Sequence, residues 1–251
     1  MKRHLITAIA ALCIMGAVDS YAQRGYARPP RPHHGFRGES GVELSVGYLH
    51  SGYRDRVFDH DRIDRGKGLN GLYFGFTKDF TLVRRALYFQ TGAEYSYQTS
   101  SNKFEEGGAK IVTERNEHYL DIPLRIKFAL DVFPYMRAFA FAGPSIDFGL
   151  ASSLKCRSRI NDSEIGKFTY NYYTKKTDSS NGFAYTPDTP ESRMRRIDVM
   201  MGAGLGVELY DMAVVKFGFD WGLVNKNKDK NVADYLSTLR NTFYLGVGVR
   251  F

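Results

Sequence analysis

Residues 241–251 read NTFYLGVGVRF. Phe243, Leu245, Val247, Val249 and Phe251 fall on one side of an extended chain, and Thr242, Tyr244, Gly246, Gly248 and Arg250 on the other. Alternation with a period of two is the pattern of a strand between two different environments. The stretch closes on its apolar side, with an aromatic residue.

Seven segments upstream repeat the pattern. Val42, Leu44, Val46 and Tyr48 oppose Glu43, Ser45 and Gly47, and Leu72, Phe74 and Phe76 oppose Gly71, Tyr73, Gly75 and Thr77. Leu87, Phe89, Ala93, Tyr95 and Tyr97 alternate with Gln90, Gly92, Glu94 and Ser96. Leu120, Ile122, Leu124, Ile126 and Phe128 face away from Asp121, Arg125 and Lys127, and Ala138, Ala140, Ala142, Ile146 and Phe148 from Arg137, Gly143, Ser145 and Asp147. Ile197, Val199, Met201, Ala203, Leu205 and Val207 oppose Asp198, Gly202, Gly204, Gly206 and Glu208. Ala213, Val215, Phe217, Phe219 and Trp221 oppose Lys216, Gly218, Asp220 and Gly222. Eight such strands imply an all-β fold, an eight-stranded antiparallel transmembrane β-barrel.

The joins alternate in length. Residues 51–68, 98–117, 151–192 and 224–240 are long and polar, whereas 79–85, 129–134 and 209–212 are short. Short periplasmic turns and long extracellular loops are the layout of outer-membrane barrels. Tyr48, Tyr95, Tyr97 and Trp221 near one set of strand ends, and Phe80, Phe128 and Tyr135 near the other, are expected as two aromatic belts. The aromatic residue at 251, with Phe243, Leu245, Val247 and Val249, resembles the signal by which a barrel-assembly machinery recognises its clients. A secreted soluble barrel of the lipocalin kind would also have eight strands. It would leave unexplained both this ending and the long–short rhythm of the joins.

Composition agrees with the membrane reading. The chain has 17 Tyr and 18 Phe against 1 Trp, and 25 Gly, as girdles and tight turns require. Its mean hydropathy is negative, as expected where each strand has one apolar face only. The net charge of +8 could indicate nucleic-acid binding. For an exported chain it suits outer-membrane lipid and lipopolysaccharide phosphates instead, and no nucleic acid is expected.

Export is read from the amino terminus. Lys2 and Arg3 precede an uncharged run at residues 5–18, and Ser20 and Ala22 sit where a signal peptidase reads small residues. The run is shorter than the ~20 residues of a spanning helix. Residues 1–22 are therefore expected as a signal peptide, with the mature chain starting at Gln23 and residing in the cell outer membrane. Cys13 follows Leu12 rather than a small residue, which disfavours a lipoprotein. Residues 23–39, rich in Arg, Pro, Gly and His, read as a flexible basic periplasmic tail. Residues 40–251 form the barrel. Cleavage leaves Cys156 alone, so neither an intramolecular disulfide nor a cysteine metal cluster is available. His33 and His34 lack further ligands. No metal or cofactor is expected.

Tyr119, Leu120, Asp121, Ile122, Pro123 and Leu124 resemble the Y-L-[DE]-I-P-L strand of small outer-membrane barrels of Bacteroidetes, the PorT-like proteins with an outer membrane protein beta-barrel domain. Ala142, Gly143 and Pro144 are similar to their A-G-P strand. Gly202, Ala203, Gly204, Leu205 and Gly206, followed by the strand at 217–222, are similar to their closing hairpins. The resemblance covers most of 41–251 and implies the fold. An accessory role with secretion-system proteins is what it suggests for function, and fold alone does not carry that over. Pro123 and Pro144 remove ladder donors and so imply bulges or bends.

Three constellations bear on function. Gly202, Gly204 and Gly206 fail as a dinucleotide loop because no helix follows, and are read as inward glycines that leave room for large side chains. Glu43, Glu94, Asp121, Asp147, Asp198, Glu208 and Asp220, with Arg125, Lys127, Arg137, Lys216 and Arg250, all fall on the polar faces. In a barrel just wide enough to be filled by side chains they are expected to pair into a plug that closes the pore. In the 151–192 loop, Lys155, Arg157 and Arg159 with Tyr170, Tyr172 and Tyr173 suit a binding surface. His50, Asp59, His60 and Asp61 could supply an acid and a base, but no serine constellation or nucleophile elbow accompanies them. The expectation is a non-enzymatic barrel with a structural or interaction role. The alternatives are a secretion or envelope-assembly accessory, a narrow porin-like channel, or a soluble lipocalin-like binder.

Overall fold

The computed structural model describes residues 41–57, 60–64, 68–106, 109–160, 163–180, 193–229 and 236–251. The expected signal peptide, the basic tail with His33 and His34, and Asp59 lie outside them.

The strands are β1 (Val42–Val57), β2 (His60–Asp64), β3 (Leu69–Val83), β4 (Leu87–Glu106), β5 (Ala109–Phe133), β6 (Met136–Ile160), β7 (Ser163–Asn171), β8 (Thr177–Ser180), β9 (Ile197–Leu209), β10 (Ala213–Gly222) and β11 (Leu236–Arg250). Eight of them close a ring in the order β1, β3, β4, β5, β6, β9, β10, β11 and back to β1. Every pairing is antiparallel, and closure runs from Glu43 opposite Arg250 to Val57 opposite Leu236. A closed ring satisfies all strand edges, which hydrocarbon demands because it offers backbone groups no partner. The eight alternating segments of the sequence are the eight ring strands.

Faces follow parity. Phe74, Phe76 and Leu205 point outward and are 59%, 52% and 57% exposed, while Glu43, Thr77 and Lys216 on alternate positions are buried. An apolar band of this extent around a ring has hydrocarbon as its matching surroundings. Among the described residues no helix is long and apolar enough to cross a membrane.

The joins on one side are tight. At the β9–β10 turn the Met212 amide donates to the Leu209 carbonyl, and Tyr210 and Asp211 both have positive φ (54° and 57°). That is the two-residue hairpin whose twist matches its flanking strands. Tyr210 takes a conformation favoured by Gly or Asn while its ring stacks 5.8 Å from Tyr135 on the belt.

On the other side the joins at 98–117 and 151–192, expected as long loops, are largely strand. β4 and β5 stay paired out to Glu106 and Ala109, and β6 continues to Ile160 and pairs with β7, which pairs with β8. Much of 98–117 and 151–180 is therefore a sheet continuing the barrel wall. Of the bulges or bends expected at the prolines, no bulge is found at either proline in the β5–β6 ladder. Pairing between β5 and β6 skips from Pro123–Ser145 to Ile126–Ala142 with the register unchanged, so the ladder has a gap and no bulge there. A Cβ at Gly143 would meet the Leu124 carbonyl and Arg125 Cα, so the two backbones approach closely at this gap.

Candidate functional site

The ring interior is filled by ion pairs in three tiers, which join ring strands far apart in sequence and, in the upper tier, Lys226 from the segment after β10. Nearest the tight turns, Lys127 Nζ lies 3.0 Å from Asp79 and 2.6 Å from Glu208. Arg250 reaches the same two acids at 3.4 and 2.6 Å. Arg137 lies 3.7 Å from Glu208, donates to the Tyr88 hydroxyl at 2.7 Å, and also donates to the Arg85 carbonyl.

In the middle tier Lys216 bridges Glu43 (2.8 Å) and Glu94 (3.3 Å). Arg125 reaches Glu94 at 3.6 Å, Asp220 at 3.5 Å and Asp121 at 4.0 Å, and lies against the faces of Phe141 and Tyr244. The inward glycines serve these rings. A Cβ at Gly204 or Gly206 would overlap Phe141 or Phe139, and one at Gly246 would overlap the Tyr73 hydroxyl.

The upper tier closes the mouth. Lys226 pairs with Asp198 at 3.0 Å, and Arg240 pairs with Asp147 while its guanidinium covers the Tyr119 ring at 3.8 Å. Arg115 pairs with Glu117 at 2.7 Å and is held between the Tyr53 and Tyr172 rings at 4.4 and 4.7 Å. Tyr53 and Tyr119 donate to the same Glu117 carboxylate. Between the middle and upper tiers, a cavity lined by Tyr73, Glu94, Gln98, Asp121, Asp220 and Tyr244 holds only about 40 Å³, room for a few water molecules at most.

All twelve charged residues singled out from the sequence lie in this interior. Asp79, Arg115, Glu117, Lys226 and Arg240 belong there too and were missed by sequence reasoning. Asp79 had been read as part of a turn, and the other four fell in segments read as loops. Parity would have found Asp79, two residues after inward Thr77, and Arg240, two before inward Thr242.

An outer membrane protein beta-barrel domain model matches residues 31–227. The chain belongs to the outer membrane protein beta-barrel domain family. The match ends before β11, the strand that closes the ring. No curated protein matches the sequence. Among solved structures, the chain is similar to the attachment invasion locus protein Ail of Yersinia pestis (14% identity, 85% of this chain and 99% of that one, TM-score 0.37). It is similar also to Neisserial surface protein A (9% identity, 84% and 97%, TM-score 0.38). OprG of Pseudomonas aeruginosa is a third (10% identity, 87% and 98%, TM-score 0.39).

Beyond the belt of this outer-membrane barrel, the sheet of β4 to β8 divides the surface read from 151–192 into two faces. Lys155 and Arg157 are exposed and Arg159 is half-buried, whereas Tyr170 and Tyr173 are buried, each 6% exposed. Tyr170 packs with Cys156 and Phe168, with Leu154, Ile111 and Tyr172 against them. The expected mixture of tyrosines and bases on one contact surface is thus corrected: the tyrosines are core of the extension and the bases face solvent. Of the acid–base candidates, His50 is hydrogen-bonded to Asn70 Oδ1 at 2.9 Å. Among the described residues no group of His, Cys, Asp or Glu is placed to hold a metal ion.

Proposed function

We propose that this protein is a small, non-enzymatic eight-stranded barrel of the outer membrane that is sealed along its axis and acts through the sheet it raises above the membrane. The carrying observation is the interior. Three tiers of ion pairs span the ring and leave a cavity of about 40 Å³, so side chains occupy the space a solute path would need. Export by a cleaved segment ending at Ala22 and assembly read from Phe243, Leu245, Val247, Val249 and Phe251 belong to the same reading. Outer-membrane lipid and lipopolysaccharide then surround the belts.

Heat-modifiability in detergent tests this. The unboiled protein is expected to migrate faster on a denaturing gel than the boiled protein. Equal mobility, with recovery from soluble periplasm, favours a lipocalin-like binder instead. A PorT-like accessory role is the second reading, favoured by the Y-L-D-I-P-L segment at 119–124. Co-purification of secretion-system proteins with the barrel distinguishes it.

A further inference from the structure

The raised sheet carries a feature the barrel itself does not need. By register, one row across its solvent face runs Lys103 on β4, Val112 on β5, Arg157 on β6 and Lys167 on β7. Arg157 and Lys167 are directly opposite, and like charges so placed destabilise a sheet. Among the described residues neither forms an ion pair with a carboxylate. The acids of this face, Glu114 and Asp178 in the row below and Glu105 and Glu164 toward the tip, lie outside the central row, whose charged members are all cations. Lys155 stands two residues before Arg157 at the margin of the row, with Glu114 directly opposite it on β5.

Height decides which anion can reach this row. Lys103 lies six residues past Tyr97 of the outer belt along β4. At ~3.3 Å per residue and a tilt of ~40° the row stands about 15 Å above the belt. Headgroups occupy only about 5–8 Å on each side of a bilayer, so the row projects beyond lipid phosphates. Among the described residues the central row carries no aromatic side chain, because Phe168 and Tyr170 point to the opposite side, and protein partners are captured chiefly through such anchors.

We infer that the outer face of β4–β7 is a binding site for an acidic polysaccharide in the sugar layer above the membrane. Anionic groups of the glycan lie across the strands against Lys103, Arg157, Lys167 and Lys155. The inference rests on the proposed membrane reading, which sets the height of the row. It does not depend on the lumen being sealed.

The full-length protein in lipopolysaccharide-free phosphatidylcholine nanodiscs is titrated with dextran sulphate, with neutral dextran and polyglutamate as comparisons. Salt-dependent binding of dextran sulphate alone is expected. The Arg157→Gln/Lys167→Gln double variant should lose about tenfold or more in affinity and about two in the logarithmic salt slope, by counterion release. Lys78→Gln, beside the opposite belt, should bind as wild type. Removing the opposed pair should leave the gel shift intact, so lost binding cannot be ascribed to misfolding. Three results overturn the inference: no binding by wild type, unchanged binding by the double variant, or binding that appears only when lipopolysaccharide is added to the bilayer. Equal affinity for polyglutamate overturns the glycan in favour of an acidic protein. The same samples run unboiled and boiled test the barrel separately.

Discussion

Lys216 sits between Glu43 and Glu94, and its burial makes its charge indispensable to theirs. Removing one partner of a buried pair leaves an uncompensated charge, which costs about 3–5 kcal/mol. Lys216→Met should therefore lower the temperature at which the fast-migrating gel band disappears, while Lys78→Met, exposed beside Phe80, leaves it in place. A Lys216→Met protein as heat-resistant as wild type would show that the middle tier contributes nothing. At this scale parity carried most of the information. The sequence assigns Glu43, Glu94 and Lys216 to inward faces because a strand alternates. It does not assign partners, because Glu94 meets Lys216 and Arg125 across the ring interior, and a distance across the lumen has no signature along the chain. Tyr73 and Tyr244, edge to face at 5.8 Å between centroids, are inward by the same parity. Their contact was equally invisible.

Elements were legible where their two faces met different surroundings. β3 and β10 alternate because one side meets hydrocarbon and the other a packed lumen. Above the belt both faces of β5 and β6 leave hydrocarbon behind, so 98–117 and 151–160 carry Ser, Thr, Lys, Arg and Glu with little contrast, and their ladders look like loops. The small Cys156, Phe168 and Tyr170 cluster gives too few apolar positions to restore a period. The segments joining this extension to the ring are clamped by charge. Asp229 accepts from Lys175 at 2.5 Å and from the Arg193 amide at 3.1 Å. Those two bonds hold its carboxyl below the usual aspartate range. A lowered carboxyl stabilises the clamp at neutral and mildly acidic pH, and the contribution is lost as pH falls through the depressed value. Amide exchange at Arg193, corrected for intrinsic rate, should quicken below the ordinary aspartate range. Asp229→Asn should make it fast at every pH, and a flat profile in the wild type would remove the clamp.

For the molecule as a whole, two requirements meet in one wall. Ring closure through β1 and β11 satisfies every backbone edge in a medium without water. It also creates an interior that must be filled or hydrated, and the interior is filled from the wall itself: Lys127, Arg125, Arg240 and their acids all project from ring strands. Arg115 and Glu117, held against Tyr53 and Tyr119, add a lid from β1 and β5, and Tyr172 in the turn after β7 covers the second face of Arg115. The two lower tiers lie wholly within the ring and do not depend on the tip of the extracellular extension. Replacing residues 158–166 with a two-residue turn removes the tip beyond the Arg157–Lys167 pair and keeps the β5–β6 ladder from Val112–Arg157 down to the tight turn, with the other ring pairings untouched. Wild type and the shortened protein are both expected to give no steady large openings in planar bilayers, and both to keep the gel shift. Openings in the shortened protein alone would place the seal in the tip, and openings in both would make the barrel a channel, with the three tiers as its selectivity lining.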